Sequence, residues 1–210
     1  MARLARELNL KMRLGLMGGT FDPIHFGHLF IAEAARVHCG LQRILFFPNN
    51  VPSPVLNKRT QTEGDTRLRL VELAIAGNEY FQASRIELDR AGPSYAIDTV
   101  LALQAEYSSA ELFYIVGADS IHEVLTWHRG AELFEYCRFI AAARPGFDLK
   151  SASQKLTSQQ RERVEFLEVP GLHIASRDLR QRVRDGLPIR YLAPEAVIAE
   201  IERLKLYRDD

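Results

Sequence analysis

The rhythm of hydrophobic and polar positions along this chain changes several times. "MRLGLMGG" is a short apolar run ending in paired glycines, a pattern that predicts a buried strand with a sharp exit turn. From Gly27 to Val37 apolar and small residues recur at helical spacing, with Leu29, Ala32 and Ala35 on one side, before "HCG" closes the element. "RILFFP" predicts a second strand, stopped by Pro48. Strand, helix and strand in that order make a βαβ unit, which crosses over right-handed in a parallel sheet.

The alternation continues. "NNVPSPVLNKRTQTEGD" carries breakers at Pro52, Pro54 and Gly64 and reads as a long loop, of the kind that serves as a lid or binding loop. Leu68, Val71 and Ile75 give a helix over Thr66 to Ala76 its apolar face, and "YFQASRIEL" reads as a strand or edge segment. "PSYAIDTVLALQAEY" predicts a helix opened by Pro93 and Ser94. "ELFYIVGAD" is a strong strand followed by glycine and an acid, and a short helix or turn runs on to Val124. "ELFEYC" leads into a further strand, "RFIAAARPG". Residues 147–163 are polar and helix-compatible, and "VEFLEVP" reads as an edge or terminal strand. Two helices close the chain, "SRDLRQRVRDG" with Ser176 at its cap and "APEAVIAEIERLKLY" opened by Pro194. The pattern predicts one α/β domain over residues 12–210 with a parallel sheet flanked by helices, preceded by a loose extension over 1–11.

Composition narrows the function classes. The chain has 210 residues, with 27 basic and 27 acidic side chains in balance, so its charge makes no global case for nucleic acid or an anionic membrane. No window has the apolar length of a transmembrane helix, and the basic N-terminus lacks the apolar stretch of a secretory signal. Cys39 and Cys137 lie far apart and read as reduced core residues; the cytoplasm is the expected compartment. Apolar helix faces suit a core and an interface equally, so a homo-oligomer stays open.

The chemistry concentrates in "GLMGGTFDPIHFGHLFIAEAARVHCG", Gly15 to Gly40. A glycine pair after a strand leaves room for a bulky anion against the main chain. The helix beyond it turns its N–H groups and positive dipole end to the same space. His25 and His28, near that helix start, can donate to phosphate oxygens. The physical reading is a nucleotide phosphate site at the carboxyl end of the first strand. The Walker pattern is absent, and Gly15, Gly18 and Gly19 fit the dinucleotide fingerprint poorly.

"GGTFDPIHFGH", Gly18 to His28, resembles the HxGH signature of the nucleotidylyltransferase superfamily. "PNNVP", "PSYAIDTV", "GADSIHEVLTW", "IASRDLRQRV" and "YLAPEAVIAEI" come next, in the order of nicotinate-nucleotide adenylyltransferases, so the resemblance runs from residue 12 to 209. It implies a Rossmann-like nucleotidylyltransferase fold and transfer of the adenylyl group of ATP to nicotinate mononucleotide. Magnesium is implied on the triphosphate, with no protein metal site.

The resemblance also implies roles. His28, His25 and Arg180 are the expected catalytic groups, though His25 could be mainly structural. Gly18, Gly19, Thr20, Gly117, Asp119, Arg144 and Ser176 are expected on the ATP side. Thr20 reads equally as a turn residue, Asp119 as a helix cap and Arg144 as a strand exit. Asn49, Asn50, Lys58, Tyr95, Ala96 and Trp127 are expected on the acceptor side, with Trp127 stacking on the pyridine ring or packing in the core. Asp22 and Pro23 are expected to lock the loop.

The chain departs from the family pattern at several positions. "PSPVLNKR" replaces Pro-Pro-His-Lys, Ala96 stands where a threonine is usual, and Ala175 and Arg177 replace a serine and a threonine. A nicotinamide-preferring enzyme, a phosphopantetheine adenylyltransferase and a silent nucleotide-binding regulatory module are the competing readings.

Overall fold

In the computed structural model, the chain is described over residues 11–51, 60–143, 146, 148 and 154–208. Strands β1 (Arg13–Gly19), β2 (Arg43–Pro48), β3 (Phe81–Ala83), β4 (Glu111–Gly117), β5 (Arg138–Ala143) and β6 (Val164–Glu168) form one sheet in the order β3-β2-β1-β4-β5-β6. Every pairing is parallel. The expected extension over 1–11, apart from Lys11, lies outside the described residues.

The period of two along each central strand divides the core into two layers. Ile44 and Phe46 of β2, Phe113 and Ile115 of β4, and Ile140 and Ala142 of β5 point to one face. Helices α1 (Phe26–Cys39), α2 (Gly64–Ile75), α6 (Ser176–Arg184) and α7 (Glu195–Arg203) cover it with Ala32, Ala35, Val71, Leu179, Val197 and Ile201. The alternate residues, among them Leu14, Leu16, Phe47, Tyr114 and Phe139, meet α3 (Ala96–Glu106) and α4 (Leu133–Tyr136) on the other face. A strand buried on both faces needs apolar residues at every position, and the continuous runs "RILFFP" and "ELFYIVG" supply them. A short helix α5 (Ser158–Arg161) is started by Thr157, whose hydroxyl accepts from the Gln160 N–H at 3.2 Å.

Strand order reverses direction between β1 and β4. Connections leave their carboxyl ends to opposite sides, and a crevice opens there, as parallel open sheets dictate.

Three of the departures from the predicted bounds have a clear local reason. Helix α3 starts at Ala96, not at Pro93–Ser94. Ser94 belongs to the preceding loop: its N–H donates to the Val51 carbonyl at 2.9 Å, and its hydroxyl accepts from the Asn50 N–H at 3.0 Å. Strand β3 stops at Ala83 because the chain turns between Arg85 and Arg90, with the Asp89 N–H on the Arg85 carbonyl at 3.0 Å. Helix α7 ends at Arg203, and Lys205 and Tyr207 adopt left-handed φ values of 52° and 62° that turn the tail inward.

Gly130 links the fold to the site. Its N–H donates to the Trp127 carbonyl at 2.9 Å, and a Cβ there would overlap the Val124 carbonyl oxygen. Backbone cannot yield as a flexible side chain can, so Gly130→Ala is expected to cost about 1–3 kcal/mol in urea unfolding. It should also shift the fluorescence emission of Trp127, the chain's one tryptophan. Unchanged stability would mean that the 124–130 turn is freer than its packing indicates.

Candidate active site

The crevice between β1 and β4 holds a cavity of about 640 Å³. One wall comes from the end of β1 and the loop beyond it, with Gly18, Gly19 and Thr20, and from His28 of α1. Asn49 closes it at the end of β2, and Ser94, Tyr95 and Ala96 form the approach to α3. The far wall is Gly117, Ser120, Glu123, Thr126, Trp127 and His128 beyond β4, with Tyr114 beneath. Sequence motifs spread over more than a hundred residues therefore meet around one space.

The glycine pair also has a packing role. Neither Gly18 nor Gly19 takes a left-handed conformation; Phe21 does, at φ 49°. A Cβ on Gly18 would meet the Phe47 ring at 2.5 Å and the Tyr114 hydroxyl at 2.8 Å, and one on Gly19 would crowd the Phe21 ring. At Gly18 glycine is what lets the Phe47 and Tyr114 rings pack beneath the loop, whereas at Gly19 the Phe21 ring would have to give by only a few tenths of an ångström.

His25 is the N-cap of α1, and its backbone N–H donates to Nδ1 of His28 at 3.2 Å. With Nδ1 accepting, Nε2 is the donor nitrogen of the His28 ring. The two imidazoles stack at 3.7 Å between centroids, and Phe21 meets His28 edge-on at 5.1 Å. His28 lines the cavity; His25 lies behind it, 4% exposed, with no hydrogen-bond partner at Nδ1 among the described residues. Burial lowers the His25 pKa to about 4, which keeps the inner ring neutral at pH 7. The Phe26 N–H at the start of α1 is taken by the Leu192 carbonyl at 3.0 Å, so the helix N-terminus is only partly turned toward the cavity.

Helix α6 braces this loop from outside. Ser176 is the first helical residue, not the cap, which is Ala175; its hydroxyl donates to the Pro23 carbonyl at 2.8 Å. Arg180 donates from one terminal nitrogen to the Asp22 carbonyl at 2.6 Å, while its buried Nε has no partner among the described residues. Arg177 is exposed beside Asp178 at 3.5 Å. The Asp22–Pro23 peptide is cis, and the Asp22 carboxylate, 1% exposed, accepts from the Gln61 N–H and from the Tyr207 hydroxyl, each at 2.7 Å. Asp22 thus locks the loop through long-range partners, not through a local Asx turn.

Of the residues expected on the acceptor side, Asn50 turns its amide away from the cavity, donating to the Arg90 carbonyl at 3.0 Å. Trp127 packs edge-on to Tyr114 at 6.0 Å, and Tyr95 pairs with His128 at 4.3 Å. Asp119 is exposed at the rim beyond Gly117, where a Cβ would collide with its carboxylate. Lys58, Arg59 and Arg144 lie outside the described residues.

Two buried charged side chains escaped the sequence reading. Glu87, 4% exposed, lines the cavity and accepts from the Thr99 hydroxyl at 2.8 Å, and burial raises its pKa. Arg67, 1% exposed, donates to carbonyls of both flanking loops. A periodicity reading places arginine on the solvent face of a helix, and the available signal was that Arg67 falls three and four residues before Leu70 and Val71, on the buried side of α2.

Residues 16–182 match the family described as cytidylyltransferase-like. The "Probable nicotinate-nucleotide adenylyltransferase" of Moorella thermoacetica is 46% identical over 200 residues, covering 93% of this chain and 92% of its own length. That of Saccharopolyspora erythraea is 41% identical over 203 residues, covering 97% and 93%. The chain belongs to the nicotinate-nucleotide adenylyltransferase family. The solved structure of Plasmodium falciparum nicotinic acid mononucleotide adenylyltransferase complexed with NaAD shares the fold, with a TM-score of 0.77 over 93% of this chain and 97% of that one at 18% identity. As in the sequence expectation, the architecture is a Rossmann-like parallel sheet flanked by helices. Among the described residues no helix is long and apolar enough to cross a membrane.

The buried histidine generates a stability prediction. Unfolded His25 binds a proton near pH 6.5, and the folded protein withholds it until about 4. Stability is therefore full above pH 6.5 and falls as pH drops through that window, by on the order of 3 kcal/mol. Urea unfolding at pH 7, 5.5 and 4.5 should show this loss, and His25→Asn should flatten it. Parallel curves for the two proteins would exclude His25 as its source.

Proposed function

We propose that this protein transfers the adenylyl group of ATP to nicotinate mononucleotide, by direct in-line attack within the β1–β4 crevice. The observation that carries the reading is the convergence of the Gly18–Thr20 and His28 wall with the Ser94–Ala96 and Trp127 wall around one cavity. Two anionic substrates can meet there with their phosphates toward the first wall and the pyridine ring toward the second.

A phosphate oxygen of the mononucleotide attacks the α-phosphorus of ATP. The bond from that phosphorus to the bridging oxygen of the β-phosphate breaks, and pyrophosphate leaves with the electron pair. The attacking oxygen is already ionised at pH 7, so no general base is needed. Catalysis consists of alignment and of stabilising charge on the equatorial oxygens. His28, with Nε2 as donor, is the group we assign to those oxygens, and His25 holds it in place. Thr20 and the Gly18–Gly19 main chain receive the triphosphate. Ser176 and Arg180 fix the Asp22–Pro23 carbonyls, and the remaining guanidinium donors of Arg180 are available to phosphate. Gly117 and Asp119 take the adenosine end. Asn49, Tyr95, Ala96 and Trp127 form the acceptor end, while Asn50 shapes it from behind.

Magnesium enters as part of the ATP substrate, held by phosphate oxygens and water. Among the described residues no three His, Cys, Asp or Glu side chains gather into a metal cage. The cytoplasm is the compartment we assign, in keeping with the free, buried Cys39 and Cys137.

The test is pyrophosphate release with MgATP and, separately, nicotinate mononucleotide, nicotinamide mononucleotide and phosphopantetheine. The first acceptor should show the highest kcat/KM; preference for the amide would keep the reaction and overturn the acceptor. ATP binding without turnover on any acceptor would favour a regulatory module. His28→Ala is expected to lower kcat about 100- to 1000-fold, the scale of one lost preorganised donor, with an unchanged circular dichroism spectrum. A mild loss would remove His28 from the reacting phosphate. Trp127→Ala should raise the mononucleotide KM more than the ATP KM; equal rises would make Trp127 a packing residue.

A further inference from the structure

Beyond the end of the β1–β2 ladder, the two loops that would carry the two substrates are held together by one side chain. The last rung is the Asn49 N–H on the Gly19 carbonyl at 3.0 Å. Past it, the chain after β1 turns toward the phosphate wall and the chain after β2 toward the acceptor wall. Arg67, rising from the first turn of α2, fills the gap. Its Nη1 donates to the Thr20 carbonyl at 2.8 Å and to Asn49 Oδ1 at 3.4 Å. Its Nη2 donates to the Asn49 carbonyl at 2.7 Å and the Asn50 carbonyl at 3.4 Å, and its Nε to the Thr62 carbonyl at 3.0 Å.

These contacts use the whole planar fork of the guanidinium. Nearly all end on main-chain oxygens, so the residue sets backbone positions and not side-chain rotamers. The cation is 1% exposed and has no carboxylate within hydrogen-bond range among the described residues; the Asp22 charge acts on it only from further away. An incompletely compensated buried cation is costly, and polyanions bound beyond Thr20 and Asn49 would supply the missing counter-charge.

We infer that Arg67 is a positioning residue that couples the two substrate sites: it fixes the Thr20 and Asn49–Asn50 main chains relative to one another, so that occupancy of one site improves binding at the other. This rests on the adenylyl-transfer reading for the identity of the two ligands. Lysine retains the charge, but its donors radiate from one point and cannot span Thr20, Asn49 and Thr62 together. Arg67→Lys therefore separates the geometry from the charge.

The experiment is calorimetric titration of nicotinate mononucleotide with and without a saturating non-hydrolysable ATP analogue and magnesium, and the reverse titration. In the wild type each ligand should lower the Kd of the other by the same factor, about fivefold or more. In Arg67→Lys both factors should approach one, and both KM values should rise in the folded enzyme. Independent binding of the two ligands to the wild type overturns the inference whether or not the variant folds. A variant with a lower Tm but wild-type coupling and KM values also overturns it, leaving Arg67 as scaffold. Failure of the mononucleotide to bind the wild type at all, with the ATP analogue bound, instead overturns the proposed acceptor, a result distinct from bound but uncoupled ligands.

Discussion

The site depends on keeping one buried carboxylate satisfied. Asp22 lies in the short loop between Thr20 and His25, 1% exposed, where an unpaired carboxylate would be severely penalised. Its two oxygens are met by the Tyr207 hydroxyl from the end of the described chain and by the Gln61 N–H from the loop entering α2. The neighbouring carbonyls of Asp22 and Pro23 are met by Arg180 and Ser176 of α6. Three distant segments must therefore dock before this loop can be buried. Once they have docked, His25 and His28 are held on a fixed support.

On the proposed reading, that support lets a fixed donor serve a reaction between anions. Burial keeps the inner member of the stacked pair, His25, uncharged at pH 7. The outer ring is oriented by a main-chain N–H on Nδ1, so its other nitrogen is the donor. A preorganised donor of this kind acts without reorganising during the reaction, which makes it more effective than a flexible lysine in water. Aromatic rings pressed against Gly18 and Gly19 stiffen the same wall from below.

Local signals in the chain were strong enough to reveal the strands, the order of α/β units and the place of the phosphate loop. Short apolar runs rich in aromatic and β-branched residues and ended by glycine, such as "ELFYIVG", suit buried strands, and their alternation with helical periodicity points to a parallel sheet. The motif residues Gly18, Thr20, His28, Asn49, Tyr95, Gly117 and Trp127 line one cavity, although they come from four separate stretches of sequence. Element ends were less legible. The start of α3 moved because Ser94 is claimed by Asn50 and Val51, and the end of α7 moved because Tyr207 is claimed by Asp22.

The sequence by itself determined the fold class and the chemical character of the loop after β1, because these arise from short-range periodicity and from residues close together in the chain, while its motifs carried the resemblance to the family. Only the tertiary structure decided which polar groups face the cavity and which are consumed in building it. Asn50, Ser176 and Arg180 carry suitable donors for substrate, yet carbonyls distant in sequence occupy some of those donors. Arg67 and Glu87 look like surface charges in a linear reading and are instead buried beside the site. The physical reason is that burial and hydrogen-bond partnership are properties of the assembled neighbourhood. A side chain's own spacing along a helix or strand carries no record of the oxygen or nitrogen waiting for it across the fold.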